Sequence, residues 1–359
     1  MDINEESNIH DNNDHGQDGL QDLDSSNRES NVPSPTPVFG RTRETFQQER
    51  ETIQTILQEC AKVIVGQKAI IEKMLICLIG DGHVLLEGVP GIAKTLSAKV
   101  LAQTVDSGFT RIQFTPDLMP ADILGTSIFN LKSSKFKFKK GPIFDNIILI
   151  DEINRAPAKT QAALFEAMEE KQVSFDGKTL PLEFPFMVIA TQNPVEQEGT
   201  YRLPEAQLDR FMMRIILDYP TRDEEIQILK RFKNQVGALD LSHIAKIINP
   251  DQIKVLQEAA AQVVVEDQML SYITSLVLET RENAKLYLGA SPRASLAILK
   301  ASKIVAMVAG RSFVIPDDIQ YIAPDILNHR IILSPEAEMS GETPSSIISG
   351  IIKNIEVPR

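Results

Sequence analysis

The chemistry this chain can perform is concentrated in two short segments, each at the end of an apolar run. Gly88-Val89-Pro90-Gly91-Ile92-Ala93-Lys94-Thr95-Leu96 follows Val84-Leu85-Leu86, and Asp151-Glu152 follows Ile147-Ile148-Leu149-Ile150. A glycine-bearing loop between a strand and a helix turns consecutive backbone N–H groups toward phosphate oxygens. Lys94 adds a point charge for β- and γ-phosphates, and Thr95 a hydroxyl for Mg²⁺. At one position the loop departs from the usual pattern, with Ala93 where a glycine normally precedes the lysine. Alanine fits if that residue has a negative φ, which is the expectation here. Asp151 would hold Mg²⁺ through its water shell, and Glu152 would orient or polarise an attacking water. Together these residues imply binding and hydrolysis of a nucleoside triphosphate.

Further polar residues fall where they could serve the same chemistry. Asn193 ends the run Met187-Val188-Ile189-Ala190-Thr191-Gln192. If that strand lies beside the acidic one, its amide reaches the γ-phosphate and the water; a turn before Pro194 explains it equally. Ser291 caps a helix and Pro292 starts it, so Arg293 sits at the positive end of the helix dipole, where a cation is disfavoured. An anion such as a triphosphate would resolve that conflict; a solvated surface arginine is the plainer alternative. Arg210, in Leu208-Asp209-Arg210-Phe211, could point out of its own subunit toward a neighbour's nucleotide. Such arginine fingers are worth about 10³–10⁵ in rate. A pair with Asp209 or Asp218 is the structural alternative, and Arg155 and Arg214 are further candidates for the finger. In Lys135-Phe136-Lys137-Phe138-Lys139 basic and apolar residues alternate with period two. The lysines either guard an edge strand or offer a basic surface to an acidic substrate or nucleic acid.

These residues must be positioned by a scaffold, and the hydrophobic pattern describes one. From Val84 to about Tyr219 short apolar runs alternate with amphipathic helices, the signature of an α/β core with a parallel sheet covered on both faces. Its strands are expected at Val84–Leu86, Thr110–Gln113, Ile147–Ile150, Met187–Ala190 and Arg214–Leu217. Helices are expected before it at Phe46–Cys60 and Lys68–Leu78. Two hairpins interrupt it, Ser127–Leu131 with Lys135–Lys139 and Val173–Phe175 with Lys178–Leu182, the second turning at Asp176-Gly177. From Pro220 onward only helical periodicity remains, near 222–233, 250–262, 267–284, 292–309 and 316–327. Thr343 and Pro344 then open a helix whose Ile347, Ile348, Ile351, Ile352 and Ile355 share one face and dock on the body.

The 359 residues suffice for about two domains. Net charge is −12, of which residues 1–40 carry −8, with nine acidic residues against Arg28. That stretch has too little apolar surface to order itself and reads as a disordered tail. No secretory signal is visible, and no apolar run approaches the ~20 residues that span a bilayer. A cytoplasmic protein is expected. Cys60 and Cys77 lack metal or redox spacing and read as small reduced hydrophobes on helices. The five histidines are scattered, so no transition-metal site is indicated.

Taken together, the motifs resemble those of AAA+ ATPases, and within them the MoxR family. The resemblance rests on Val65-Gly66-Gln67, the 88–95 loop, 111–118, Gly141-Pro142-Ile143-Phe144, 151–157, Ala190-Thr191-Gln192-Asn193-Pro194, 196–200, 203–211 and Ser291-Pro292-Arg293-Ala294, and covers about residues 45–359. It implies a P-loop αβα core with a five-stranded parallel sheet and two inserted hairpins at 44–221, a helical lid at 222–335 and a C-terminal segment at 336–359, after a tail at 1–43. It assigns Lys94 and Thr95 to Walker A, Asp151 and Glu152 to Walker B, Asn193 to sensor 1, Arg293 to sensor 2 and Arg210 to the finger, with Val65 and Gly66 flanking the adenine. Ala93 is usual in this family. ATP and Mg²⁺ would be bound in a ring, a hexamer, whose hairpins face the pore or a partner. Members are regarded as chaperone-like, acting on client proteins with a von Willebrand factor A domain partner. A nucleic-acid motor of related architecture and a nucleotide-gated scaffold that rarely hydrolyses are the alternatives; the acidic charge and lack of a nucleic-acid-binding domain weigh against the first.

Overall fold

The computed structural model describes residues 46–132, 134–175, 177–194, 199–201, 203–233 and 240–358. The tail expected at 1–43, Asp176 of the second hairpin turn and residues 196–198 of the shared pattern lie outside them. Two helices, α1 (Gln47–Ala61) and α2 (Lys68–Ile79), lead into β1 (His83–Glu87) and α3 (Lys94–Gln103). Next come β2 (Phe109–Gln113), α4 (Pro120–Leu124), the hairpin strands β3 (Gly125–Asn130) and β4 (Lys135–Lys140), β5 (Ile147–Asp151) and α5 (Ala158–Glu170). A second hairpin, β6 (Gln172–Phe175) and β7 (Lys178–Pro181), precedes β8 (Met187–Gln192), α6 (Glu205–Leu208) and β9 (Phe211–Ile216). The remainder holds α7 (Arg222–Phe232), α8 (Pro250–Ala261), α9 (Asp267–Glu282), β10 (Leu286–Leu288), α10 (Pro292–Val308), α11 (Pro316–Leu327), β11 (Ile332–Leu333), α12 (Pro335–Met339) and α13 (Pro344–Asn354).

Five strands form one parallel sheet in the order β2-β5-β8-β1-β9. Alternate residues of its strands enter two apolar layers, as the two-residue period of a strand requires. Val84, Leu86, Leu149 and Ile189 join one layer; Leu85, Ile148, Ile150 and Val188 join the other with Leu164 and Phe165 of α5. Burial on both faces is why these strands read as continuous apolar runs. The first layer continues through α1–α3 into buried residues of α8–α11 and α13, so core and lid share one hydrophobic cluster.

The last strand begins at Phe211, ahead of the expected Arg214, because Phe211 and Met213 pair with His83 and Val84 of β1. Both inserted hairpins are present as separate two-stranded antiparallel sheets. The lid carries the five expected helices plus a small β10–β11 ladder that the sequence did not announce. Strands of two or three residues are too short to show a period. Thr343 caps α13, its Oγ1 accepting from the Ser346 N–H at 3.1 Å. Ile347, Ile348 and Ile351 are buried where α13 packs on α9 and α11. Cys60 and Cys77 are buried free thiols, and burial raises both, Cys60 to about 12. No described helix is long and apolar enough to cross a membrane.

His83 opens β1 with its ring enclosed. Its Nδ1 accepts the Val188 N–H at 3.0 Å, and Nε2 faces the Met168 carbonyl oxygen at 3.3 Å. An N–H can donate only to an unprotonated Nδ1, so this site requires the neutral ring. Burial pushes the imidazole down to about 4, from 6.5 for a free one. A folded-state pKa below the unfolded one gives stability that is complete above the unfolded value and lost as pH falls toward the folded one. Denaturant midpoints should therefore drop between pH 6.5 and about 4, and His83→Gln, whose amide can accept and donate in the same places, should drop less. An equally steep fall in the variant would contradict this assignment.

Candidate active site

The phosphate-loop segment leaves the C-terminal end of β1 and enters α3. Gly91 has φ +84°, and Ala93, the N-cap of α3, has φ +63°. The negative φ expected for Ala93 is thus wrong: the chain needs a left-handed residue there to turn into the helix. An L-residue in that conformation costs about 1–2 kcal/mol. Neighbouring bonds hold the turn against that cost. Gln67 Nε2 donates to the Ile92 carbonyl at 2.8 Å, and Ser97 Oγ donates to Gln67 Oε1 at 2.7 Å. Lys94 Nζ donates to the carbonyls of Gly88 and, at 3.0 Å, Gln192. No side chain caps α3, which leaves its first-turn N–H groups directed at an anion.

Asp151 ends β5 and is only 4% exposed. Its carboxylate accepts from Thr95 Oγ1 at 2.9 Å, Thr191 Oγ1 at 3.2 Å and Arg111 Nε at 2.6 Å. Glu152 follows in the left-handed region, φ +57°, its N–H donating to Thr191 Oγ1 at 3.1 Å. Gln113 Nε2 donates to Glu152 Oε2 at 2.8 Å, and Arg155 Nε lies 2.9 Å from the same oxygen. Asn193 is buried just past β8, the strand between β5 and β1. Pro90, Gly91, Lys94, Thr95, Asp151, Glu152 and Asn193 line one cleft of about 200 Å³. The Thr95 hydroxyl and Asp151 carboxylate, side by side, are the oxygen donors a hard divalent cation prefers. With a lysine and free helix N–H groups beside them, the residues fit a Mg²⁺-bound triphosphate.

Val65 and Gly66 lie in the loop between α1 and α2, tethered to the phosphate-loop segment through Gln67. Gly66 has φ +78°, and a Cβ there would meet Glu224 Oε1 of α7 at 2.2 Å. Its left-handed φ favours glycine, and any larger residue would have to displace the Glu224 side chain.

Arg210 and Arg293 are not in the cleft. Arg210 immediately precedes Phe211, which pairs with His83 at the start of β1, whereas the cleft lies past the end of that strand. At ~3.3 Å per residue the two ends of β1 are about 13 Å apart. Arg293 sits in the first turn of α10, as expected, but its Nη2 donates to Glu169 Oε1 at 2.6 Å, and Nη1 lies 3.8 Å from Asp209 Oδ2. Arg210 Nε lies 3.5 Å from Glu169 Oε2. The anion that the sequence assigned to a triphosphate is thus supplied in the single chain by Glu169 and Asp209. Ser291 occupies the N-cap position without capping, and its Oγ donates to Asp209 Oδ2 at 3.2 Å instead. Arg214 grips Glu87 with two bonds of 2.8 and 2.6 Å, which commits its guanidinium to the sheet rather than to a neighbour.

Four contributors were given no role by the sequence. Arg111 and Gln113 hold the two acidic side chains, and the pairing of β2 with β5, Gln113 opposite Asp151, is the signal that locates them. Glu169 and the buried Arg330, whose Nε donates to Asp209 Oδ1 at 2.7 Å, act through contacts distant in sequence.

A five-stranded parallel αβα core with this loop, this acidic pair and a helical lid defines a P-loop ATPase of the AAA+ class. The family model for the "ATPase family associated with various cellular activities (AAA)" matches residues 83–213, and that for the AAA lid domain matches 278–351. The uncharacterised protein YeaC of Bacillus subtilis is 45% identical, over 83% of this chain and 92% of its own. Chaperone MoxR1 of Mycobacterium tuberculosis is 42% identical, over 87% and 84%. A crystal structure of a Cytophaga hutchinsonii protein superposes with a TM-score of 0.81 at 44% identity, over 88% and 98%. The chain belongs to the MoxR family of AAA+ ATPases.

Replacing Ala93 with glycine should relieve the left-handed residue and raise stability by about 1 kcal/mol. Urea unfolding of the nucleotide-free protein reads this out; a loss of stability would show that the loop relaxes to negative φ in solution.

Proposed function

We propose that this chain is an ATP-driven remodelling ATPase whose hydrolytic site is completed by a neighbouring subunit. The observation that carries the reading is the separation of Arg210 and Arg293 from the cleft. The two arginines flank Glu169 at the far end of the sheet, away from their own chain's cleft, and in a closed ring, a hexamer, they would serve the next one. The division into a core at 44–221, a lid at 222–335 and a C-terminal segment at 336–359 belongs to the same reading.

In this mechanism ATP lies along the cleft, its adenine flanked by Val65 and Gly66. The N–H groups of residues 88–96 and Lys94 bind the β- and γ-phosphates. Thr95, and Asp151 through the water shell, would hold Mg²⁺, which when bound would neutralise charge on the phosphate oxygens. Glu152 polarises the attacking water, and Asn193 positions that water against the γ-phosphate. Charge developing on the transferred group is met by Arg210 of the neighbour, with Arg293 beside it. In the single chain these guanidinium groups hold Glu169, so a neighbour's phosphate competes with that carboxylate for them. Because α10 carries Arg293 within the lid, hydrolysis would shift lid against core and move the hairpins against a client protein, with a von Willebrand factor A domain partner in the cytoplasm.

Glu152→Gln should bind ATP with affinity close to wild type and hydrolyse it at least about tenfold more slowly. Equilibrium binding and phosphate release measured together check this. Wild-type turnover in the variant would overturn the mechanism.

A further inference from the structure

The β3–β4 hairpin stands outside the nucleotide chemistry and has an unusual surface. Each strand pairs only with the other, so among the described residues each keeps one open edge. The register places Phe129 opposite Phe136 and Ser127 opposite Phe138, on one face. Ile128 opposite Lys137 and Thr126 opposite Lys139 form the other. Phe138 is anchored against Phe144 and Phe175, ring centroids 6.1 and 4.6 Å away, which fixes the hairpin base to the body. Toward the tip the aromatic face is uncovered: Phe136 is 73% exposed, Leu131 85%, and Phe129 about half. Lys135, Lys137 and Lys139 are exposed and form no ion pair among the described residues. Lysine alone would suffice to protect an edge strand. A protected edge has no need of exposed phenylalanine beside it.

We infer that this hairpin is a docking edge for an extended polypeptide segment in which acidic and apolar residues alternate. A strand added to the open edge of β4 projects its side chains to alternate faces. Its apolar residues then meet Phe136, which packs beside Phe129 of β3, and its acidic residues meet Lys137 and Lys139. The period-two pattern of Lys135–Lys139 is complementary to such a segment at every position, in sign and in polarity. A nucleic acid strand fits less well. Stacking bases on phenylalanine while pairing phosphates with lysine is best served by both on one side, whereas the register puts Lys135, Lys137 and Lys139 on the face opposite the phenylalanines, and Lys140, on the aromatic face, lies over the Phe144 ring at 4.9 Å. The inference rests on the remodelling reading above, the docked segment belonging to a client or partner protein.

The test is fluorescence anisotropy with three labelled probes: a peptide alternating Glu and Val, one alternating Lys and Val, and single-stranded oligothymidylate. The full chain is compared with Phe136→Ser and with a variant combining Lys135→Glu, Lys137→Glu and Lys139→Glu. All these positions are exposed and lie outside the cleft, so circular dichroism and basal ATP hydrolysis should be unchanged. The Glu-Val peptide should bind wild type and weaken at least about tenfold, or 1.4 kcal/mol, in each variant. The Lys-Val peptide should bind only the charge-reversed variant. Failure of the Glu-Val peptide to bind, equal binding to all three proteins, or hairpin-dependent binding of oligothymidylate in its place would overturn the inference. ATP hydrolysis assayed on the same samples keeps the two readings apart: its absence would contradict the motor and leave the hairpin result standing.

Discussion

One buried carboxylate organises the site. Asp151 takes bonds from Thr95 on α3, Arg111 on β2 and Thr191 on β8, so four elements meet on two oxygens. A carboxylate so enclosed is strongly unfavourable unless paired and hydrogen-bonded. The elements therefore have little freedom to separate, and the first turn of α3 is held against the strand tips. Glu152 and Asn193 are placed by the same strands. The left-handed turn at Glu152 is tied through its N–H to the Thr191 hydroxyl, which itself bonds Asp151. Position in the sheet, rather than local sequence, brings these side chains into one cleft.

The opposite end of the sheet has its own charged knot. Asp209 accepts from Arg330 and Ser291 and lies near Arg293, while Glu169 sits between Arg293 and Arg210. Ser291, Arg293 and Arg330 come from the helical region, and Asp209 and Glu169 from the core. The lid is thereby fastened to the segment that carries the proposed finger. A displacement of the lid would carry Arg293 with it and alter the hold on Arg210. A cleft that fits a nucleotide lies at one end of the sheet and cationic side chains at the other, the two halves that the proposed head-to-tail assembly would bring together.

Most of the scaffold was legible in the sequence for identifiable reasons. Strands such as Ile147–Ile150 are buried on both faces and so read as unbroken apolar runs, and helices such as Pro292–Val308 are bracketed by Ser-Pro at the start. The loop and acidic pair were legible because phosphate and metal chemistry demand particular residues in consecutive positions. What escaped was whatever depends on the third dimension. Ala93 looked like a negative-φ residue because alanine has that preference locally; the tertiary path from β1 to α3 overrides it. Ser291 looked like a capping serine, yet its hydroxyl finds Asp209. Arg293 looked like a cation waiting for phosphate, and Glu169, far away in sequence, answers it. Arg111 and Gln113 fell within the 111–118 motif but were given no role, because their partners lie on a neighbouring strand.

If one catalytic centre draws residues from two subunits, two proteins that are each inactive should complement one another when mixed. Arg210→Ala keeps an intact cleft and lacks the finger; Glu152→Gln lacks the catalytic carboxylate and keeps the finger. Each alone should hydrolyse ATP poorly. After mixing and reassembly, interfaces that pair the intact cleft of the first with Arg210 of the second should recover a substantial part of wild-type turnover. A mixture no more active than its separate components would place the whole site within one chain and contradict the account.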